Sequence, residues 1–399
     1  MRYASDLSHR YNPLYFLASV GAGGLAVSFF MYLMWLTPHK GSPIPSFASF
    51  AAAWGQGDPL IQALIVVGLT GVATFAVLHV RLLAWNLKQF AAWKRTPAYA
   101  ALKTSNGETQ LMAMPLTLAM TVNVAFIVGA LFVPGLWEAR EGLFPLAVAA
   151  FAAIGVWAMR LFLDFFARVL TKGGFDCAKN NSLGQMLSVF AFSMVGVGFS
   201  ASAAMSHVKP VVVVAYLGAV LFVAAAIVMG LIQLVLGFRA MMEHAANEET
   251  TPTLWIVIPI LTVVGIAIYR LKMSLAHNFA TPVSDGEAFA FLAIIVALQV
   301  FFGLLGWAVM RRAGYFEKWV TGPARSAGSY ALICPGVALF VSGNFLLNVG
   351  LVRLGVVEPL SVAHAALYVP LVALQALTVW LFFKLNGKLL GEDRAAPTK

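Results

Sequence analysis

The chain has 399 residues, of which 61% are hydrophobic and only 11% are charged. That balance lies far outside the range of soluble domains and is typical of chains surrounded by lipid. The net charge of +10 does not indicate a nucleic-acid partner, because the Lys and Arg residues lie at the ends of apolar runs and form no single patch. We therefore expect no soluble catalytic domain, no enzymatic activity and no cofactor.

A helix that crosses a bilayer needs about 20 mostly apolar residues. Ten stretches meet this requirement, at residues 13–36, 60–83, 112–133, 143–163, 183–205, 211–238, 253–269, 288–310, 329–351 and 359–383. The connections are mostly short, so consecutive helices are expected to pair as five antiparallel hairpins. We expect an all-α transmembrane domain over residues 1–390 and a short, disordered polar tail at 391–399. The first stretch lacks a cleavage pattern and is expected to remain as a helix.

The orientation follows from the basic residues, which are retained on the cytoplasmic side. With the N-terminus inside, the cytoplasmic segments hold 19 of the 26 Lys and Arg residues and the outer segments hold 6, and Arg160, inside the fourth helix, is counted on neither side. The sequence therefore predicts a multi-pass protein of a bacterial inner membrane with both termini in the cytoplasm. Residues 84–103 interleave Trp85, Phe90 and Trp93 with basic side chains, a pattern that favours a helix lying on an anionic leaflet, either as a simple linker or as a protein-docking surface.

The odd-numbered helices carry most of the helix-loosening residues near their middles or starts. Examples are Gly23, Pro115, Gly196, Pro259 and Pro335. Pro and Gly at membrane depth are tolerated where a helix faces protein or a water-lined cavity. Five inner helices surrounded by five outer ones would satisfy this pattern, although close helix packing alone would also explain the glycines.

Four segments of the odd helices resemble the tellurite-resistance and dicarboxylate transporter family, which includes the plant slow anion channels. They are TPTLWIVIPILTVVGIA at 251–267, SYALICPGVALFVSG at 329–343 and, more loosely, NPLYFLASVGAGGLA at 12–26 and MAMPLTLAMTVN at 112–123. The resemblance implies quasi-fivefold symmetry, a central pore lined by the odd helices and a homotrimer that moves anions. The family's pore-blocking Phe has no clear counterpart, since Cys334 precedes Pro335 here. Either Phe190, Phe192, Phe199 or Phe340 supplies the plug instead, or the pore is not gated by a plug.

Anions in a low-dielectric path need positive potential and hydrogen-bond donors. The odd helices supply hydroxyls and amides, although hydrogen bonding to a neighbouring backbone is an alternative role for each. Our pore-lining candidates are Gly23, Pro115, Asn123, Ser193, Phe199, Pro259, Thr262, Pro335, Phe340 and Ser342. Three basic residues that follow the seventh and ninth helices are candidate entrance charges: Arg270, Lys272 and Arg353.

The remaining intramembrane polar residues favour structural roles. Arg160 and Asp164 are four residues apart on the fourth helix and are expected to pair. His79 and His364 are expected near opposite membrane faces, so they cannot hold one haem between them. The two cysteines, Cys177 and Cys334, lack metal-ligand spacing, so we expect neither a disulfide nor a metal site.

Two functions remain open from the sequence. The first is a channel or transporter for small anions or weak acids, such as sulfite or dicarboxylates, through a central pore in each protomer. The alternative is a non-haem membrane-anchor subunit of a quinone-linked oxidoreductase, which also has many helices and few charges.

Overall fold

The structure is a computed structural model that describes residues 3, 4, 7 and 10–391. Within these residues every regular element is a helix, apart from one isolated bridge between Tyr3 and Gly391. That bridge brings both ends of the chain to one face, which we call the terminus face, and we call the opposite face the far face. Most of the predicted polar tail, residues 392–399, lies outside the described residues.

Ten helices of the described chain are long and apolar enough to cross a membrane. We number them span one to span ten: Pro13–Leu36, Pro59–Trp93, Asn106–Phe132, Arg140–Lys172, Gly184–Met205, Lys209–His244, Glu248–Phe279, Asp285–Arg312, Ala327–Val352 and Val362–Leu389. Two short helices, Phe47–Gly55 and Pro97–Lys103, lie in the connections that flank span two. The prediction of an all-α protein with ten membrane-length helices is confirmed.

The odd-numbered spans are inner helices and the even-numbered spans are outer helices. Between 50% and 94% of the most apolar stretch of each odd span is buried, against 22% to 39% for each even span. Each odd span packs against the even span that follows it in the chain. Span one also contacts spans three and nine, span five contacts spans three and seven, and span seven contacts span nine. The inner helices therefore make a closed cycle of contacts.

Every inner span begins at the terminus face with a short 3₁₀ segment. The free backbone N–H groups at such a start need partners. In each case the side chain of a preceding residue accepts a hydrogen bond from the backbone N–H two residues later, a local turn that Ser and Asn favour. These residues are Asn12, Ser105, Ser182, Asn247 and Ser326. The same start recurs in all five inner spans, and none of the outer spans begins with a 3₁₀ segment.

Residues 84–103 do not form the separate surface helix that their basic and aromatic pattern predicted. Residues 84–93 continue span two without a break, and only Pro97–Lys103 is a separate short helix. Phe90 and Trp93 are buried, and the Trp93 ring lies 5.8 Å from Tyr11 and 5.4 Å from Tyr99. The prediction was wrong because Phe90 and Trp93 are buried against Tyr11, Phe16 and Tyr99 and form no exposed aromatic face.

The predicted pair between Arg160 and Asp164 is also absent from the ion pairs of the described residues, and both side chains are exposed. Arg168 instead pairs with Glu108 at 2.7 Å, and Lys103 reaches the other oxygen of the same carboxylate at 2.7 Å. Because Glu108 is buried at the start of span three, it attracts the cations that lie nearest to it. The ion pairs therefore tie span four to span three at the terminus face.

Candidate functional site

The inner helices enclose a cavity of about 190 Å³, which we call the central cavity. All five inner spans contribute to its wall, with residues three or four positions apart along each helix. On span five, for example, the lining residues include Phe190, Met194, Val197, Ala201 and Met205. This spacing places them on one face of the helix, so each inner span presents one continuous stripe to the cavity.

The wall of the central cavity is apolar apart from a few side chains. Asn123, Ser202 and Thr262 supply amide and hydroxyl groups, and Cys334 supplies a thiol. Among the described residues that line the cavity, Arg270 is the only one with a cationic side chain. The rest of the lining consists of aliphatic, aromatic, methionine, proline and glycine residues.

Arg270 reaches the cavity because span seven is longer than the sequence predicted. The predicted helix ended at Tyr269, whereas the α-helix runs on to Phe279 and carries Arg270 within it. Its guanidinium donates a long hydrogen bond of 3.4 Å to the carbonyl oxygen of Val197 on span five. In the described part of the chain no carboxylate lies within ion-pair distance of this group. The cavity therefore holds an uncompensated positive charge.

Towards the terminus face, the lining of each inner span ends at one residue, and we call these five residues the end layer. This layer consists of Val20, Met120, Phe190, Pro259 and Cys334, one residue from each inner helix. Beyond it the inner helices pack directly against one another through fully buried side chains, including Phe16, Ala113 and Ile333. Phe190 is the largest side chain of the layer and lies where the cavity wall ends.

One outer helix also contributes to the wall. Phe144, Ala147 and Phe151 of span four line the central cavity between spans three and five. Span four lies close to span five here, and a Cβ atom added at Gly198 would lie only 2.2 Å from the Phe151 ring. Ile44, from the connection between spans one and two, lines the cavity at the far face. Neither contribution was predicted.

Three predicted pore-lining residues, Asn123, Pro259 and Thr262, do line the central cavity. The structure places the others elsewhere. Gly23 faces Met120 and His79. Ser193 donates to the carbonyl oxygen of its own helix at Val189.

Two further candidates face outer helices. Ser342 donates to the side chain of Gln299 on span eight at 2.5 Å. Phe199 stacks on Phe222 of span six at 6.1 Å and approaches Phe151 of span four at the same distance.

The last three candidates do not line the cavity either. Phe340 is fully buried against Tyr32, and Pro115 and Pro335 are buried within their spans. Of the four phenylalanines considered as plugs, Phe190 alone is in the cavity wall. Phe192 packs on Phe162 and Phe222 of the outer helices.

The other two entrance candidates are held by neighbours outside the central cavity. Lys272 lies 5.9 Å from the centre of the Phe291 ring on span eight. Arg353 donates to the hydroxyl of Tyr269 at 3.3 Å. Arg270 is thus the candidate charge that the structure places in the cavity wall.

The two intramembrane histidines connect helices. His79 on span two bonds to Ser19 of span one and to Thr121 of span three, at 2.8 Å to the Ser19 carbonyl oxygen and 2.8 Å to the Thr121 hydroxyl. His364 on span ten lies 3.2 Å from the Asn348 side chain of span nine. Both histidines are buried and neither lines the central cavity.

No protein-family model matches the chain, and no curated protein matches it significantly. The resemblance to the tellurite-resistance and dicarboxylate transporter family therefore stays a prediction from the four segments that carry it.

Proposed function

We propose that the protein is a membrane channel or transporter for small anions or weak acids, which pass along the axis of the five inner helices. The closed cycle of contacts among these helices supports this path, since the central cavity lies inside it and is lined by all five. The recurring 3₁₀ start of the inner spans supports a quasi-fivefold arrangement of five hairpins.

The observation that carries the proposal is Arg270 in the wall of an otherwise apolar cavity. Two unit charges about 4 Å apart attract by roughly 4 kcal/mol at an effective dielectric constant of about 20. An uncompensated guanidinium therefore attracts anions and repels cations of similar size. Asn123 and Ser202 add neutral hydrogen-bonding groups to the same wall, whereas the Thr262 hydroxyl already donates to the Ala338 carbonyl oxygen at 3.1 Å and accepts from Gln299. Such neutral groups hold an anion weakly enough for it to leave.

We propose further that the terminus face is the cytoplasmic face of a bacterial inner membrane. Each outer span carries a basic residue at the terminus-face end of its apolar stretch: Arg81, Arg160, Arg239, Arg311 and Lys384. Basic residues at this depth favour the cytoplasmic side and its anionic lipids. A homotrimer, as the resemblance implies, is part of the same proposal.

The test is anion flux in proteoliposomes that contain the purified full-length protein. We expect wild-type protein to move chloride or nitrate, and Arg270→Gln to lower the flux about tenfold or more, because a loss of about 1.4 kcal/mol already corresponds to a factor of ten. Arg270→Lys should retain much of the flux, since it keeps the charge. The matched control is Arg353→Gln, which removes a nearby cation that does not line the cavity.

Absence of flux in the wild-type protein for chloride, nitrate, sulfite and dicarboxylates would contradict the proposal. Co-purification with an iron–sulfur or other catalytic subunit would then favour the oxidoreductase anchor. Equal flux in wild type and Arg270→Gln would show that the Arg270 charge does not act on the passing anion.

A further inference from the structure

A second cavity, of about 310 Å³, lies on the outer side of span three, beside the start of span four. Its wall is formed mostly by small and aliphatic side chains, among them Ala125, Gly129, Leu146 and Ala150. We call it the side trough. Leu146 is 67% exposed and Ala125 is also exposed, so the trough opens away from the protein core. At membrane depth such an opening faces lipid.

The far-face end of the side trough carries a cation. The Arg140 guanidinium lies 5.2 Å from the centre of the Trp137 ring and donates to the Trp137 carbonyl oxygen at 3.2 Å. The neighbouring carboxylate, Glu141, is turned away and accepts from the Ser206 hydroxyl and the His207 backbone N–H. No carboxylate of the described chain pairs with Arg140. The side trough thus combines an apolar groove with an unpaired cation beside a tryptophan.

This arrangement is complementary to an anionic lipid. Arg140 is the first residue of span four, so it lies at the far-face end of a membrane-length helix, where lipid phosphates are expected. Arginine binds phosphate with two parallel hydrogen bonds. An acyl chain matches the apolar, elongated wall below it. A second copy of the protein is a poorer occupant, because it would have to bring a carboxylate into this region to compensate Arg140.

The side trough and the central cavity share part of their walls. Val122, Phe126 and Ala147 line both spaces. The Phe126 ring stacks on Phe144 at 5.7 Å, and Phe144 also lines the central cavity. A molecule in the side trough therefore contacts Phe126, which also borders the central cavity.

We propose that the side trough binds an anionic phospholipid, with its phosphate on Arg140 and an acyl chain along spans three and four, and that this lipid holds Phe126 in position. The first half concerns binding alone. The second half rests on the proposed function, since it makes anion flux depend on anionic lipid.

The binding half is tested with the purified full-length protein in a neutral detergent. Phosphatidylglycerol and phosphatidylcholine with identical acyl chains are added, and retained lipid is measured by native mass spectrometry. We expect wild-type protein to bind phosphatidylglycerol about tenfold more tightly, a factor equal to roughly 1.4 kcal/mol. Arg140→Gln should abolish this preference, and Ala150→Trp should reduce retention of both lipids by filling the trough. Lys209→Gln, which removes a cation at the same face outside the trough, should keep the preference.

Equal retention of the two lipids by the wild type, or a preserved preference in Arg140→Gln, would overturn the lipid site. Undiminished retention in Ala150→Trp would overturn the place assigned to the acyl chain. Arg140→Gln is a change at the rim of the trough, so its result does not depend on tolerance of a bulky residue at position 150.

The flux half compares wild type with Arg140→Gln in two kinds of vesicle, phosphatidylcholine alone and phosphatidylcholine with phosphatidylglycerol. We expect phosphatidylglycerol to raise the flux of the wild type but not that of the variant. Because both proteins experience the same vesicle surface charge, the difference between them reports the site itself. Lipid-independent flux would overturn the regulatory half alone. Selective lipid binding without flux in any vesicle would leave the site standing and overturn the proposed function.

Discussion

The wall of the central cavity and the contacts between inner and outer helices use polar groups in opposite ways. The cavity wall is mostly apolar, with Arg270 as its one cation among the described lining residues and with three amide or hydroxyl side chains. The interface between inner and outer helices is rich in buried amides and hydroxyls: Gln299 bonds to Thr262 and Ser342, and Gln375 bonds to Ser28. At membrane depth, an unpaired polar group is costly, so most of these groups are paired with another helix. Polar residues on the inner spans therefore mark helix contacts more often than they mark the cavity wall.

Apart from the Arg270 variants, the largest effect is expected for two phenylalanines of span five. Phe190→Ala should raise anion flux about fivefold, equal to roughly 1 kcal/mol of barrier, because it removes the largest side chain of the layer that ends the cavity. Phe199→Ala should leave anion selectivity unchanged and lower the free energy of unfolding by about 3 kcal/mol, as deletion of a buried ring does. Flux in proteoliposomes and thermal melting in detergent measure the two effects.

The opposite pattern, with higher flux in Phe199→Ala and unchanged flux in Phe190→Ala, would contradict the position of the path. The alanine variants form a matched pair because both residues lie on the same helix and both are buried.

The next effect concerns the interface between inner and outer helices. Gln299→Leu removes three bonds: those from the Gln299 amide to the Ile258 carbonyl oxygen at 2.9 Å and to the Thr262 hydroxyl, and that from the Ser342 hydroxyl to the Gln299 side-chain oxygen. At about 0.6 kcal/mol for each interhelical bond, we expect a loss of about 1–2 kcal/mol. Anion flux per folded molecule should change little. Leu298→Ala, at a neighbouring position with an exposed side chain, is the control for thermal melting.

A melting temperature of Gln299→Leu equal to that of the wild type would contradict a role for these bonds in stability. A changed anion selectivity would instead indicate that Gln299 acts on the path through Thr262.

The number and order of the helices could be predicted because hydropathy reports the bilayer directly. The division into inner and outer helices could also be predicted, because Gly and Pro are concentrated in the odd spans. The sequence does not indicate which face of each inner helix lines the cavity. Inner helices are apolar on all sides, so no hydrophobic stripe distinguishes cavity from core. Ser342 and Thr262 illustrate the difficulty, since both are hydroxyls of inner spans and only Thr262 lines the cavity.

Arg270 was predicted as an entrance charge but not as part of the cavity wall. Hydropathy ends a helix at the first cluster of charges, here Arg270 and Lys272, whereas the helix continues to Phe279. The prediction of a surface helix around Trp93 was wrong for a related reason. Aromatic and basic residues in alternation are typical of a membrane surface, and only the tertiary contact with Tyr11 reveals an internal role.

A smaller effect is expected at Asn123, which lines the central cavity. Its side-chain amide donates to the Ala119 carbonyl oxygen of its own helix at 3.2 Å, and among the described residues its one bond to another helix is a weak one of 3.6 Å to the Met194 sulfur on span five. Asn123→Ala should therefore lower anion flux about two- to threefold, equal to roughly 0.5 kcal/mol, with a melting temperature close to that of the wild type. Ser193→Ala, whose hydroxyl also bonds within its own helix but does not line the cavity, should leave the flux unchanged.

The smallest effect distinguishes charges inside the cavity from charges near its mouth. Lys272→Gln should lower anion flux less than about twofold at low salt, and the difference should vanish in 0.5 M salt, because a charge outside the cavity acts over a distance that ions in solution screen. The deficit of Arg270→Gln should persist at the same salt concentration, since its guanidinium lies in a space too small for a screening atmosphere. Flux of both variants across a salt series measures this contrast. If high salt removed the flux difference from the wild type in both variants, Arg270 would be acting as a surface charge. The selectivity of the path would then have to come from its neutral groups.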